Sequence, residues 1–405
     1  MAAPAKRVTT WPCFYPIFQQ GAGRKWSSLG CPGREAQRPA RRVRRRRRSG
    51  GLCVEVRPEQ RSSPGPPVPT SLSIALPYPI VVGDIGGTNA RFALQLEPNG
   101  PLALLGRFKT AEFASVALAL AAATVPAPVR PRSAVLCAAG PVADRRCALT
   151  NASWVIDGPE LVGLGSVEEG LLLNDFEAQA LSLPALPPEV VEPIGAVRPG
   201  EGPQVVLGPG TGLGVGALVR LDGRYAPLPS EGGHVDLAAT DAEEERVFPH
   251  VRRVEGRLTA EAILSGPGLV ALHHARLQAH GLPPAPGVDG VAIVNAALAD
   301  HAGAEADTVR LFIRVLARFA GDMAIVFGAT GGVTLAGGIL PRVRALLDPA
   351  AFRAAFENKP PVEALPMRIA TRLVTSPDAV LHGMAAIASD PARYALDYAE
   401  RLWSR

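Results

Sequence analysis

Residues 79–94 read PIVVGDIGGTNARFAL, which predicts a buried β-strand, a glycine-rich turn and a second strand. Glycines let the backbone N–H groups of such a turn approach a polyphosphate closely. Asp84 ends the first strand, where its carboxylate could hold Mg²⁺ through water, and Thr88 and Asn89 could donate hydrogen bonds to phosphate oxygens. A tight hairpin without a ligand has the same pattern, so this segment alone leaves both interpretations open.

A second glycine-rich segment, QVVLGPGTGLGVG, occupies residues 204–216. Its glycines recur at every second position, which predicts a turn followed by a strand with one bare face. The GxGxxG turn of a dinucleotide-binding fold has a different spacing. Two like hairpins suggest two related lobes, each gripping a phosphate chain from one side.

Polar residues follow other predicted strands and turns. Asn174 and Asp175 end the buried strand LLL, where the carboxylate could be a general base beside a hydroxyl-binding amide. An Asn-Asp pair is also a common start for a helix. Glu231 and His234 flank two glycines and could bind hydroxyls, although a hydrogen-bonded, partly buried histidine is the plainer interpretation. Glu261 could accept two sugar hydroxyls or could lie on a solvated helix face.

The clearest helix is predicted for residues 305–327. Its apolar residues form one stripe, which we assign to the core: Phe312, Val315, Leu316, Phe319, Met323 and Val326. A strand and a glycine turn follow, and Gly337 and Gly338 could face a nucleotide base or ribose, where a side chain would clash. A plain strand-to-helix corner is the alternative.

Six motifs then occur in a fixed order: GDIGGTNARFAL, LLLNDFEA, GPGTGLGVG, SEGGHVD, AEAILSGPGL and LAGGI. In this order and spacing, over about residues 78–400, the sequence resembles the bacterial glucokinases of the hexokinase–actin ATPase superfamily. The resemblance implies an α/β fold with two RNase H-like lobes around an active-site cleft. Residues 76–184 would form a small lobe, completed by a C-terminal helix at about 376–405, and residues 185–375 a large lobe.

The resemblance also implies a role for each matching residue. Asp175 is expected to be the catalytic base. The expected sugar-binding residues are Asn174, Glu231, His234 and Glu261, with Asn151 of the TNASW loop as a further sugar neighbour. The expected nucleotide contacts are Asp84, Gly86, Gly87, Thr88, Asn89, Gly210, Thr211, Gly212, Gly337 and Gly338, with Asp84 near the metal.

The implied activity is ATP-dependent phosphorylation of glucose to glucose 6-phosphate, with ATP and Mg²⁺ as cofactors. Glucose and MgATP are the expected partners, and a cytoplasmic homodimer is the family habit. The same chemistry on another hexose, or with another phosphoryl donor, is the near alternative. A remote alternative is a non-catalytic, sugar-sensing or nucleic-acid-binding regulator. The Cys-rich zinc motif of the related ROK proteins is missing from the sequence, which argues against that branch.

Charge divides the sequence into two parts. Residues 1–70 hold 15 basic and 3 acidic residues, a net of +12, which leaves 27 basic and 34 acidic residues, a net of −7, for the rest. The arginine run at 41–48 and the prolines at 64–69 predict a disordered extension over residues 1–75. A transit peptide, a nucleic-acid-binding arm and an inert extension remain open for it. We expect no nucleic-acid partner for the acidic body.

Two further classes are excluded by the residue pattern. No lysine follows a glycine as the GxxxxGK[ST] phosphate loop requires. No apolar run of about 18 residues is free of glycine, proline and charge, so we expect no membrane-spanning helix.

Overall fold

The structure is a computed structural model that describes residues 75–164 and 167–404. The predicted disordered extension, residues 1–75, lies outside the described residues apart from Ala75. Among the described helices, none is both long and apolar enough to cross a membrane.

The strands are, in chain order, β1 (Ile80–Ile85), β2 (Asn89–Gln95), β3 (Leu102–Lys109), β4 (Ser133–Ala138), β5 (Val142–Ala143), β6 (Arg146–Ala148), β7 (Val155–Asp157), β8 (Glu169–Asn174), β9 (Val191–Ile194), β10 (Gln204–Pro209), β11 (Leu213–Leu221), β12 (Arg224–Ser230), β13 (Gly332–Leu335), β14 (Thr371–Val374) and β15 (Leu402–Ser404). The helices are α1 (Val116–Thr124), α2 (Gly158–Gly163), α3 (Asp175–Ser182), α4 (Ala242–Val247), α5 (Gly266–Ala279), α6 (Gly290–Ala299), α7 (Ala304–Val326), α8 (Pro349–Glu357) and α9 (Ala379–Ser389).

Two six-stranded sheets share one topology. The first has the order β15-β8-β4-β1-β2-β3, and the second has the order β12-β11-β10-β13-β14-β9. In each, three antiparallel strands are followed by two parallel strands and an antiparallel edge strand. This repetition confirms the predicted α/β fold with two related lobes, and the two glycine turns join equivalent strand pairs, β1 to β2 and β10 to β11.

The sheets and helices form alternating layers. Helix α1 and helix α2 cover one face of the first sheet, and α3 and α9 cover the other. The core around α3 and α9 also includes Val206, Leu218 and Ala336 of the second sheet region, so this helix pair is packed between the two sheets. Helices α5, α6 and α7 build the core on the far face of the second sheet. The lobe boundaries given above stay a prediction.

Helix α7 confirms the predicted long helix, but one residue of its assigned stripe is wrong. Phe312, Phe319 and Met323 are buried in the core. Val326 is 68% exposed. Helix α7 ends at Val326, and Phe327 caps it. The apolar stripe therefore extends to Val326, one position at which α7 is no longer covered by the core.

The edge strand β15 is locked by one aromatic side chain. Trp403 is buried, and its indole lies over Gly158 and Gly170. A Cβ atom at Gly170 would lie 2.3 Å from Trp403 Cζ2 and 2.6 Å from the carbonyl oxygen of Ala134. The missing side chain at Gly170 thus makes room for the strand that closes the first sheet.

We expect Gly170→Ala to destabilise the protein by about 1–3 kcal/mol, because the added methyl group overpacks this contact. Gly163→Ala is the matched control, since a Cβ atom there meets nothing within 4 Å and alanine favours a helix. Urea denaturation of both variants measures the difference. Equal unfolding midpoints for the two would contradict the role given to Trp403.

Candidate active site

The first glycine turn is held in a fixed conformation at the end of β1. The N–H of Gly86 donates to the carbonyl of Asn89 at 2.9 Å, which closes the hairpin. Thr110 then pins the turn from outside, since its Oγ1 donates to the Gly86 carbonyl at 3.1 Å and its N–H donates to the Thr88 carbonyl at 2.9 Å. Gly86 and Gly87 are half-buried, whereas Thr88 and Asn89 are exposed. The turn therefore presents polar groups outward on a rigid support.

Asp84 lies just before this turn and is only 8% exposed. Its Oδ2 pairs with Arg91 at 2.5 Å, and its Oδ1 accepts from the Cys137 thiol at 3.4 Å. Both carboxylate oxygens thus have a neighbour that fixes their direction.

The TNASW loop contacts the first glycine turn directly. A Cβ atom at Gly87 would lie 2.9 Å from Asn151 Cβ and 3.1 Å from the Asn151 carbonyl oxygen. The N–H of Thr150 donates to the Ala139 carbonyl at 3.0 Å, which anchors the loop on the chain after β4. The structure therefore places Asn151 beside the first glycine turn, and the glycine at 87 permits this close approach.

Asn174 and Asp175 lie where β8 passes into α3. The Asn174 Oδ1 accepts from the N–H groups of Phe176 and Glu177 at 3.0 and 3.2 Å, so it caps the helix. Its Nδ2 donates to the Gly140 carbonyl and to Asp175 Oδ1, each at 3.0 Å. The amide therefore holds the start of the helix and Asp175, which confirms the helix-start interpretation of this pair. The interpretation as a general base beside a hydroxyl-binding amide stays a prediction.

The pKa of Asp175 is raised to about 6. Burial is the main cause, because it disfavours the charged form, and the negative charge of Asp84 adds to it. Hydrogen bonds from the Phe176 N–H and the Asn174 amide act in the opposite direction. A carboxylate with this pKa is mostly ionised at neutral pH yet basic enough to accept a proton.

The second glycine turn is braced by Glu261. The Glu261 Oε2 accepts from the Leu213 N–H at 2.8 Å, and a Cβ atom at Gly212 would lie 2.5 Å from the same oxygen. The N–H of Gly210 donates to the Gly212 carbonyl at 2.8 Å. Thr211, at the tip, is exposed.

Glu231, His234 and Glu261 form one cluster, as the sequence predicts. The Nε2 of His234 lies 3.8 Å from Glu231 Oε2, and its Nδ1 lies 4.0 Å from Glu261 Oε1. The side chains of Glu231 and His234 are 77% and 57% exposed, and that of Glu261 is 34% exposed. These acceptors and the imidazole are open to a polar ligand such as a polyhydroxylated molecule.

The start of helix α3, which carries Asp175, packs on the second hairpin. A Cβ atom at Gly214 would lie 1.8 Å from the Phe176 ring, and one at Gly216 would lie 3.0 Å from the Phe176 carbonyl oxygen. The bare face of β11 that the glycine spacing predicts is thus the surface on which the start of α3 rests. Asp175 is held next to β11 and within electrostatic reach of Asp84.

Gly337 and Gly338 lie at the other side of the second hairpin. Gly337 has a φ of +86°, and a Cβ atom there would lie 2.5 Å from the Pro209 carbonyl oxygen. Gly338 lines a pocket of about 300 Å³. The loop after β13 therefore connects the second glycine turn to this pocket.

Most residues of this pocket were not predicted from the sequence. Its other lining residues come from the starts of α5 and α6 and from the loop after β13: Gly266, Pro267, Leu269, Val270, Asp289, Gly290, Val291, Val294, Ile339 and Arg342. The sequence pattern that could have indicated it is a capping residue followed by glycine at the start of both helices, Ser265-Gly266 in α5 and Asp289-Gly290 in α6. The Gly266 N–H donates to the Gly210 carbonyl at 2.7 Å, so the pocket adjoins the second glycine turn.

A divalent metal would find one candidate carboxylate ligand at the first turn, Asp84. Within the described residues, no group of three His, Cys, Asp or Glu side chains could enclose a metal ion. Mg²⁺ usually binds through one or two carboxylates together with substrate phosphates and water. The donor set at Asp84 fits a metal that arrives with a polyphosphate, not a permanent all-protein site.

Two like α/β lobes, each with a glycine-rich hairpin, together with a carboxylate of raised pKa and a cluster of exposed hydrogen-bonding side chains, have the arrangement of a sugar-kinase type of phosphotransferase. Residues 81–391 match the family model described as Glucokinase. The chain is 44% identical over 340 residues to the glucokinase of Rhizobium johnstonii, covering 83% of this chain and 99% of that protein. It is 42% identical to the glucokinase of a Chelativorans species, covering 82% and 98%. The chain belongs to the glucokinase family.

Solved structures agree with this assignment. The crystal structure of glucokinase from an Antarctic psychrotroph is 32% identical, has a TM-score of 0.67, and is matched over 77% of this chain and 99% of that one. A glucokinase from Balamuthia mandrillaris in complex with glucose, 24% identical, has a TM-score of 0.65 over 76% and 93% of the two chains, which supports the fold.

We expect the Asp175 carboxyl to take up a proton near pH 6 in the ligand-free protein, since its pKa is raised to about 6. Infrared difference spectra between about pH 7 and pH 5 should show one carboxylate converting, and Asp175→Asn should remove that change. Asp84→Asn should move the midpoint lower, because one charge that raises the pKa is gone. A conversion only below about pH 4.5 would contradict this picture.

Proposed function

We propose that the chain is a glucokinase that transfers the γ-phosphoryl group of ATP to the 6-hydroxyl of glucose, with Asp175 as the general base. One observation carries the proposal: a carboxylate of raised pKa starts α3, which packs on the second glycine hairpin, and Asp84 of the first hairpin lies within its electrostatic reach. Membership of the glucokinase family supports the substrate and the reaction.

We assign to Asp175 the role of accepting the proton of the glucose 6-hydroxyl. As this oxygen forms a bond to the γ-phosphorus, the bond to the β-phosphate oxygen breaks, ADP leaves, and the proton passes to the carboxylate. Asn174 and the N–H of Phe176 both bind Asp175 Oδ1 at 3.0 Å, which orients the carboxylate, and we assign the proton to Oδ2. Phosphoryl transfer depends mainly on positioning and charge stabilisation, so a base held this firmly suits it.

The sugar is assigned to the cluster of Glu231, His234 and Glu261. Two carboxylates and an imidazole offer acceptors and a donor for neighbouring ring hydroxyls. Asn151, beside the first turn, would border the sugar. Asn174 stays a predicted sugar ligand, but its amide is already engaged with Gly140 and Asp175, so a sugar contact would require one of those bonds to be exchanged.

The nucleotide is assigned to the two turns and the pocket next to the second one. Backbone N–H groups at 86–89 and 210–212 would bind phosphate oxygens, and the apolar pocket beside Gly338 would take the adenosine. Mg²⁺ bound with the phosphates at Asp84 would neutralise part of their charge. The pocket favours a nucleotide donor over inorganic polyphosphate, because polyphosphate has no group to fill it.

The cellular setting is proposed from the family resemblance. We infer a cytoplasmic homodimer that acts at the start of glycolysis, with the lobes divided at about residues 184 and 375.

A coupled assay of glucose, mannose, fructose and N-acetylglucosamine, each with ATP and with polyphosphate, tests the substrate assignment. Turnover of glucose with ATP at the highest kcat/KM supports the proposal, and turnover of none of the sugars contradicts it.

Asp175→Asn should lower kcat about 10²–10⁴-fold, since the variant keeps the shape of the side chain but cannot accept the proton. In the wild type, kcat/KM should fall with decreasing pH through about pH 6, where the base becomes protonated. Steady-state kinetics measure both effects. Asp241→Asn is the control, because Asp241 caps α4, where its carboxylate accepts from the Glu244 N–H and pairs with Arg314. Near-normal kcat in Asp175→Asn would disprove the assignment of the base.

Glu261→Gln should raise the KM for glucose about ten- to a hundredfold, because a hydrogen bond to a charged acceptor becomes a neutral one. Its amide oxygen can still accept from the Leu213 N–H, so the melting temperature should change little. Glu192→Gln, which affects only the surface pair with Arg344, is the control. An unchanged glucose KM would remove Glu261 from the sugar site.

A further inference from the structure

Arg91 connects the first phosphate turn to a distant part of the chain. It faces Asp84 across the β1–β2 hairpin, in register. Its NH2 group pairs with Asp84 Oδ2 at 2.5 Å, and its NH1 group donates to the Pro377 carbonyl and lies 3.8 Å from Asp378 Oδ1. The side chain is 24% exposed. One guanidinium thus joins the carboxylate of the turn to the residues that precede α9.

The link continues from α9 to the proposed base. Helix α9 packs closely on α3, and a Cβ atom at Gly383 would lie 2.2 Å from the Ser182 Cβ. Helix α3 begins with Asp175. Arg91 therefore ties Asp84 to the helix pair that carries Asp175.

The hydrogen bonding of Arg91 with Asp84 and Asp378 is incomplete, which is unusual for ion pairs that only stabilise the fold. In the described part of the chain, the Nε of Arg91 and the Oδ1 of Asp378 are buried without a hydrogen-bond partner. Each such group carries a desolvation cost. Well-packed apolar residues often replace a partly buried ion pair without loss of stability. Incomplete hydrogen bonding at this position calls for another reason to keep a guanidinium here.

We propose that Arg91 is a positioning residue for phosphoryl transfer, which fixes the direction of the Asp84 carboxylate and holds the first turn in place relative to α9 and α3. The Cys137 thiol contacts the other Asp84 oxygen, so Asp84 is held from both sides. The inference rests on the proposed function, because Asp84 must face the nucleotide phosphates for its direction to matter. A misplacement of about 1 Å in such a group can cost about a hundredfold in rate.

The experiment compares Arg91→Met, Arg91→Lys and Arg107→Met in the full chain. Arg107 pairs with Asp378 at 2.5 Å and not with Asp84, so Arg107→Met disturbs the residues before α9 but leaves the Arg91–Asp84 pair. Arg91→Met should lower kcat about ten- to a hundredfold and raise the Mg²⁺ concentration for half-maximal rate, with the glucose KM within about twofold of wild type. Arg91→Lys should recover part of kcat, because the positive charge remains.

Two readouts separate positioning from folding. Guanidinium chloride at millimolar concentration should restore part of the Arg91→Met rate in a saturable way, and ammonium chloride should restore less, because it lacks the planar set of donors. Calorimetry should show weaker binding of MgADP to Arg91→Met in the absence of glucose. Melting temperatures of all three variants provide the folding control.

Three results would overturn the inference. The first is wild-type kcat and MgADP binding in Arg91→Met. The second is an equal loss of kcat in Arg107→Met, which would place the effect at α9. The third is a parallel loss of kcat, glucose binding and thermal stability without rescue by guanidinium. Failure of the proposed function itself would look different, since the wild type would then not phosphorylate glucose, while MgADP binding would still report on Arg91.

Discussion

The approach of α3 to the bare face of β11 is the contact on which the site depends. Any side chain at Gly214 would overlap the Phe176 ring, and that ring lies one residue beyond Asp175. The alternating glycines therefore do more than shape a turn, because they let the second sheet accept the helix that continues from the first. A single helix thereby packs in both halves, and the carboxylate at its start lies next to the second glycine hairpin and within electrostatic reach of Asp84 of the first.

Two carboxylates in a site meant for a polyanion raise an electrostatic problem. The negative charges of Asp84 and Asp175 repel each other, and this repulsion raises the pKa of Asp175. Both carboxylates would also repel a phosphate group. The structure supplies one compensating cation at Asp84, through Arg91, and two neutral donors at Asp175. The remaining imbalance favours a ligand that brings its own positive charge. The proposed metal–nucleotide complex would meet this requirement, whereas a free nucleotide would not.

The sequence could reveal parts of the site that are local, and it could not reveal those formed between distant segments. Glycine spacing predicted both turns, and a strand followed by Asn-Asp predicted the start of α3, because each pattern lies within a few residues. The pocket beside Gly338 and the contact of Arg91 with Pro377 depend on segments that only the fold brings together. Periodicity likewise assigned Val326 to the core, although it is exposed. No local pattern shows where a helix extends beyond the elements that pack against it.

The first sheet is assembled from two separated parts of the chain. Its strands β1, β2, β3, β4 and β8 precede the second sheet, whereas α9 and β15 follow it. A ribosome delivers residues 191–374 before α9 can cover α3 and before Trp403 can seat against Gly170. During that interval the nascent first half exposes the apolar face that α9 later buries, and exposed apolar surface of this kind is what chaperones bind and what aggregates. The order of synthesis thus makes the first lobe to emerge the last to be completed.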